Sequence, residues 1–393
     1  MPDQVHSPIG GSKVGRILQC SGSLKAEENS PQTSSYFADE GTAAHELLHH
    51  CYDVGLDPQD FMGRSITANG RSIVVDQEMV DAVQTGIDTY NDLLGEDGDG
   101  VVYLETNLDY SELLGLPANT AKGTPDALIY LKKSKELIVA DFKYGKGVKV
   151  EVDHNPQLMT YAVGGAHVFK LLDEVKQYRM CIIQPRINHI AESTFTPAEA
   201  DRFIKHVKHA VWKAYNAPEF HIGQYCKFCS AAATCPAIKE DLVRHFDALP
   251  EPNKDDDGDI LGENLEIADI ASHWAARVKE AAMQRLSNGN PVTGYKLVEG
   301  RYGNRQWRSE DSITSLLRSM QLETEQMYDM KLASPTRIEK LKKSGVLDDT
   351  QWAEVQDHIT RSDPKPTMVP ASDARPAMSF GATQSDFEVL NER

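Results

Sequence analysis

An aspartate and a lysine two positions apart, Asp141 and Lys143, close the apolar run ELIVADFKYG. In a β-strand, side chains at i and i+2 share a face, so a carboxylate and an ammonium would stand side by side at the strand's end. A second carboxylate, Asp126 in GTPDALIY, opens the preceding apolar run. The polar turn KKSKE between the two runs predicts a hairpin, and its antiparallel register returns Asp126 to the end of the ribbon that holds Asp141. Two converging carboxylates repel each other unless a cation lies between them. Hard oxygen ligands with open positions favour Mg²⁺ or Mn²⁺. A metal acting as Lewis acid and water activator, beside a lysine that offsets developing charge, is what hydrolysis of a phosphodiester requires. Alone, a D-x-K pair reads as an ion pair where a strand meets solvent, so the rest of the chain must decide.

The elements needed to position these groups are legible around them. Residues 36–52 predict a helix whose apolar face includes Ala44, Leu47, Leu48 and Cys51. GVVYLETNLDY (100–110) alternates as a strand, and the two strands of the hairpin follow. NPQLMTYAVGGAHVFKLL then reads as a helix, with Asn155 as its cap and Pro156 in its first turn. YRMCIIQPRI is a further strand, and residues 196–215 form a helix opened by a capping box of Thr196 and Glu199. The order of helix, three strands, helix, strand, helix predicts an α/β core, a mixed central sheet flanked by helices. Residues 1–249 are expected to hold this core. The acidic stretch EPNKDDDGD marks a linker over 250–260. A mainly helical region around a hairpin, YKLVEGRYGNRQWR, is expected over 261–361, and a disordered tail over 362–393. The end of the tail, SDFEVLNER, is a candidate peptide dock for a partner.

TPDALIY followed by VADFK resembles the PD-(D/E)XK nuclease signature, with Pro125-Asp126 and Asp141-Phe142-Lys143 as the matching residues. Gln157 and Tyr161 of QLMTY, four apart and on one helical face, resemble the helix that follows this signature in the RecB-like branch. GTAAHELLH resembles the first motif of the same branch, whose helical histidine maps onto His45. The resemblance spans about residues 36–240 and implies a restriction-endonuclease-like core and a divalent-metal-dependent DNA exonuclease. It also implies the roles. His45, Asp126, Asp141 and the backbone carbonyl of Phe142 would hold Mg²⁺ or Mn²⁺, and Lys143 would position the attacking water. Gln157 and Tyr161 would contact the scissile strand, with Glu105 as an outer contributor. The likeness is nearest to phage or prophage recombination enzymes, which resect duplex DNA ends so that a single-strand annealing protein can load.

Six cysteines in a chain expected to be cytosolic point to metal or catalysis before disulfides. Cys226, Cys229 and Cys235 form a C-x₂-C-x₅-C-P group, and Cys20 is a fourth thiol far upstream. Four thiolates suit either tetrahedral Zn²⁺ or a 4Fe-4S cluster. The split of one cysteine before the core and three after it resembles the iron–sulfur RecB-like nucleases, the AddB-type and CRISPR-associated relatives among them. That resemblance implies the cluster, with Zn²⁺ as the alternative. Cys51 and Cys181 read as small apolar core residues.

Composition sets the outer bounds. The 393 residues are 40% apolar and carry a formal net charge of −18, which argues against nonspecific nucleic-acid binding through overall charge. Local cations are therefore needed. They are expected in KKSKE with Lys143, Lys146 and Lys149, and on the 196–215 helix at Arg202, Lys205, Lys208 and Lys213. No apolar run approaches the ~20 residues of a membrane span, and a cytoplasmic protein, in a bacterium or a phage-infected host, is expected. An oligomer is compatible with the sequence but not encoded visibly in it. Two other readings keep the motifs: a CRISPR-adaptation or repair nuclease working with partners, and a noncatalytic iron–sulfur protein that binds DNA ends.

Overall fold

The computed structural model describes residues 7–28, 36–95, 99–247, 259–298, 316–318, 320, 335–343 and 345–359. The chain divides into two compact units, Met1–Val298 and Glu299–Arg393.

In the first unit, helices α1 (Gly11–Gln19), α2 (Gly22–Glu27) and α3 (Tyr36–Val54) lead to a small hairpin, β1 (Ser65–Ala68) and β2 (Arg71–Val74). Helix α4 (Gln77–Leu94) follows, started by Asp76, whose side chain accepts from the Met79 amide. Next come β3 (Gly100–Leu104), β4 (Leu108–Asp109), the short α5 (Ser111–Leu114) and β5 (Lys122–Gly123). The hairpin expected from the sequence is β6 (Ala127–Leu131) and β7 (Glu136–Phe142). Helix α6 (Pro156–Val168), β8 (Gln177–Gln184), β9 (His189–Phe195), α7 (Pro197–Asn216), α8 (Pro236–Asp247) and α9 (Asp259–Ser287) complete it. In the second unit, α10 (Pro335–Lys343) and α11 (Asp349–Asp357) are described.

The architecture is α/β, as the sequence predicts. Its five-stranded sheet runs β3-β6-β7-β8-β9, antiparallel at every step except the parallel pair β7/β8. Strand β7 is central and wholly buried, and its alternating side chains serve two apolar layers. Leu137 and Val139 face the layer that also holds Leu158 and Ala162 of α6 and Val207 of α7. Ile138, Ala140 and Phe142 face the other, with Leu47 and Leu48 of α3 and Val83 and Tyr90 of α4. Asn155 caps α6 by accepting from the Gln157 and Leu158 amides, and the Thr196–Glu199 box closes on α7 in both directions.

Several expectations are redrawn. The single strand foreseen over 100–110 is two strands broken at Glu105, where the backbone turns left-handed with φ 40°. The domain boundary foreseen at 250–260 falls after Val298 instead. Helix α9 begins within the acidic stretch, and its Ile267, Ile270, Ala271 and Trp274 pack against Ile238, Leu242 and the cysteine-bearing segment. Burial of that face makes α9 part of the first unit. Of the foreseen accessory region, Val292 and Tyr295 form one isolated bridge, and the remainder of the 295–308 hairpin past Val298 lies outside the described residues. The linker residues 250–258 and the tail 362–393 also lie outside them. Among the described residues no helix is long and apolar enough to cross a membrane.

Candidate functional site

Ala127 pairs with Ala140 across the hairpin, so the next rung outward brings Asp126 opposite Asp141. Both carboxylates therefore sit at one end of the sheet, where the strand β7 finishes and both helical layers can reach. From one layer, the α3 imidazole of His45 places Nδ1 3.3 Å from Asp126 Oδ1 and packs edge-on to the Phe142 ring. From the other, α6 brings the Gln157 amide to donate to Asp141 Oδ1 at 3.2 Å. Lys143 Nζ lies 3.0 Å from Asp141 Oδ1 and 2.8 Å from Oδ2. The Phe142 amide donates to Asp126 Oδ2 at 2.7 Å, which locks the two strands' ends together. Five of the residues singled out from the sequence, His45, Asp126, Asp141, Lys143 and Gln157, thus meet at one end of the sheet.

The charges are mutually dependent. Burial opposes ionisation of Asp126, but the adjacent His45 imidazole and the Lys143 ammonium outweigh it and hold the carboxyl down at about 2. Asp141 goes the other way: its burial dominates, Lys143 opposes it and Asp126's charge adds to it, so its carboxyl is raised. Burial works against the Lys143 ammonium, yet Asp141 and Asp126 together push it up to about 12. His45 is raised as well, burial being overcome by the charge and contact of Asp126.

Tyr161 is placed differently from its expected role. Its ring is almost wholly buried and fills the space between Gly11 of α1 and Gly123 of β5, where a Cβ on either glycine would fall 2.4 Å from Cε1. It packs beneath the site and beside Gln157, while the Gln157 side chain is engaged with Asp141. In this geometry the pair orients a carboxylate. Glu105, foreseen as an outer contributor, brings Oε1 2.6 Å from Nδ1 of His49. His49 was not singled out from the sequence, although its spacing of four from His45 puts both rings on one face of α3. The donor atoms of His45, His49 and Asp126 lie within 4.8 Å of one another.

The chemistry of the donors fits a divalent cation. Asp126 and Asp141 bring two carboxylates to one buried end of the sheet, where Lys143 offsets part of their charge and a hard divalent cation would offset the rest.

The KKSKE lysines are not at the site. Leu131 pairs with Glu136, which puts that turn at the opposite end of the hairpin, roughly 15 Å away at ~3.3 Å per residue. Lys146 is paired with Glu78 and Lys149 with Glu151. On α7, Lys205 and Lys208 are exposed, Arg202 lies near Glu199, and Lys213 is held by Glu219.

Cys20, Cys226, Cys229 and Cys235 line one pocket, with Arg16 and Tyr225 in its wall. The segments carrying them are stitched together: the Gly22 amide donates to the Glu219 carbonyl, Arg16 to the Phe228 carbonyl, and the Ser230 amide to Glu27. Burial pushes the Cys229 thiol up to about 12 and raises Cys226 also, which makes neither a nucleophile near neutral pH. Among the described residues no three cysteine sulfurs lie within 4.8 Å of one another. Cys51 and Cys181 are buried core residues whose thiols burial raises to about 11 and about 12.

Fold and site together define an α/β protein with a carboxylate–lysine–histidine cluster at one end of its sheet and a four-thiol pocket beside its first helices. By sequence it belongs to the family described as "Protein of unknown function (DUF2800)", whose model matches residues 6–376. A solved structure described as "Crystal structure of SSO0001" is similar at 18% identity over 57% of this chain and 84% of that one, with a TM-score of 0.29.

Proposed function

We propose that this chain is a divalent-metal-dependent deoxyribonuclease of the RecB-like PD-(D/E)XK type, acting on DNA ends and braced by a 4Fe-4S cluster. The observation that carries the reading is the meeting of Asp126, Asp141, Lys143, His45 and Gln157 at one end of the sheet, drawn from four separate elements. Asp126 and Asp141, with His45 and the Phe142 carbonyl, are the residues that would hold Mg²⁺ or Mn²⁺. That ion supplies Lewis acidity at the phosphate and a more acidic bound water.

The protein's own groups do the rest. Lys143 carries a fixed positive charge next to Asp141, where it orients water and offsets negative charge gathering on the attacked phosphate. Gln157 holds Asp141 in one rotamer, and Tyr161, wedged between two glycines, holds the α6 turn that carries Gln157. The exposed face of α7, with Arg202, Lys205 and Lys208 followed by Trp212 and Tyr215, combines cations and aromatic rings suited to a nucleic-acid backbone and bases. The four thiols support the cluster as a brace between the chain's first helices and the segment after α7. A role in recombination, with a single-strand annealing protein as partner, follows from the family resemblance of the motifs.

Linear, nicked and circular DNA incubated with the protein and Mg²⁺ or Mn²⁺ tests the reading, with Lys143→Ala as control. Linear duplex is expected to disappear with the wild type and to persist with the variant. Linear DNA left intact by the wild type under both metals would replace this reading with that of a DNA-end-binding protein.

A further inference from the structure

The site holds more ligand-type side chains than one hard cation needs. His45 and His49 stand one helical turn apart on α3, and their ring nitrogens share a 4.8 Å neighbourhood with an Asp126 oxygen. The His49 side chain is nine-tenths buried, with Nδ1 2.6 Å from Glu105 Oε1 and no hydrogen-bond partner at Nε2. A buried imidazole nitrogen ordinarily has a partner, so the unsatisfied Nε2 marks a missing ligand. The group that holds Nδ1 is the Glu105 carboxylate. Glu105 reaches it because its backbone leaves β3 in a left-handed conformation, φ 40°, held by its amide donating to the Asp126 carbonyl.

We propose that His45, His49 and Asp126 form a second divalent-cation position, with Glu105 orienting the His49 ring and Asp126 bridging the position to the oxygen-lined one at Asp141. Two imidazoles and a carboxylate suit a borderline transition metal such as Mn²⁺, whereas the Asp126–Asp141 position, lined by oxygens alone, suits Mg²⁺ or Mn²⁺ equally. The inference rests on the reading of this sheet end as a cation site and refines it, moving His45 from the oxygen position to the nitrogen one. Two cations sharing a carboxylate would clamp the attacking and leaving oxygens of an in-line displacement.

The test counts Mn²⁺ on the full-length protein by electron paramagnetic resonance of the free ion. Mn²⁺ is the right probe because the thiols of the cysteine pocket prefer softer metals. The wild type is expected to bind two Mn²⁺ per chain, one of them displaced by excess Mg²⁺ and one retained. His49→Ala should lose the retained ion. Glu105→Gln should weaken it by tenfold or more; its side chain is about half exposed, 54%, so loss of the fold cannot mimic the effect. One Mn²⁺ per chain in the wild type overturns the proposal, as do two that neither substitution disturbs. Two Mn²⁺ without cleavage of any DNA would remove the nuclease reading and leave this position standing. One Mn²⁺ with cleavage would do the reverse.

Discussion

Lys143 Nζ spans both oxygens of Asp141, at 3.0 and 2.8 Å, at the one end of a fully buried strand where a second carboxylate stands opposite. The lysine thus compensates a carboxylate that is almost wholly buried, 4% exposed. Lys143→Ala removes that compensation and leaves Asp126 and Asp141 to repel each other. Cleavage of end-labelled linear duplex is expected to fall by about 10² to 10³, the usual cost of deleting one charge-stabilising donor. Affinity for Mn²⁺ should hold or rise, because a competing cation has gone. A variant that cleaves at the wild-type rate would remove Lys143 from the chemistry.

Tyr161 ties the site to the first helix. A methyl group on Gly123 would meet its ring at 2.4 Å, and the ring is fenced on the other side by Gly11. Gly123→Ala is expected to cost about 1–3 kcal/mol through overpacking, read as a lowered midpoint in urea. In a Tyr161→Ala background the same substitution should cost far less, since the clashing ring is absent. Equal costs in both backgrounds would mean that Tyr161 does not set the constraint.

How much of this could be read from the sequence follows from where each signal is stored. Asp126 and Asp141 were legible because a hairpin's register is local: two apolar runs and a short polar turn decide which ends meet. Helix α7 carried its own start signal in Thr196 and Glu199. Helix α1 did not, since Gly11 and Gly15 lower its intrinsic propensity and its Gly10 cap offers no side-chain acceptor, while Gly11 is where the Tyr161 ring packs. Strand β9 is half exposed along its length, with only Phe195 buried, so its pattern is faint. Helix α4 had both an Asp76 cap and buried Met79, Val80, Val83 and Tyr90 at helical spacing; periodicity alone could have found it. The apolar stripe of α9 was readable as a helix, but not its partner, which depends on a fold that brings residues about thirty positions apart together. His49 was hidden for a similar reason: its meaning depends on Glu105 arriving from another element.

The cysteine pocket is expected to hold iron and acid-labile sulfide when the protein is purified without oxygen, with visible thiolate-to-iron absorbance. Cys229→Ala should bleach it. Cys20→Ala should do so too and, in addition, lower the unfolding midpoint, because the cluster would close a loop of some two hundred residues between Cys20 and Cys226. A colourless protein containing one zinc per chain would replace the cluster with a mononuclear site.

Acid should weaken the fold partly through Asp109. Burial disfavours its charge, but donation from the Ser111 hydroxyl and amide and from the Asn119 amide outweighs it, so the folded carboxyl titrates below its ordinary value. A lowered folded pKa means that its stabilisation is complete above the unfolded value near ~3.9 and is lost as pH falls through the folded one. Asp109→Ala is expected to cost about 1 kcal/mol at pH 7, with the gap from wild type narrowing below about pH 4. Urea melts at pH 7, 4 and 3 read this directly. A gap of constant size across that range would show that the charge of Asp109 is not what stabilises the β4–α5–β5 segment.

The α7 face offers the remaining test, because the proposed DNA contacts of a chain with a net charge of −18 would have to fall where cations lack paired acids. Lys205 and Lys208 are exposed, three apart on one helical face, and no ion pair within 4.0 Å is described for either. Trp212, 58% exposed and stacked on His209, extends the same surface with a ring on which a base can lie. If this face tracks the phosphate backbone, the double variant Lys205→Ala/Lys208→Ala gives up two phosphate contacts. The slope of log K against log salt should then shrink by about 2 on duplex DNA, at ~0.9 per contact. Trp212→Ala should weaken single-stranded DNA by about 1–3 kcal/mol and leave the salt slope unchanged. Fluorescence anisotropy of labelled duplex and single strands across a salt series separates the two effects. An unaltered slope in the double variant would place the DNA elsewhere on the molecule.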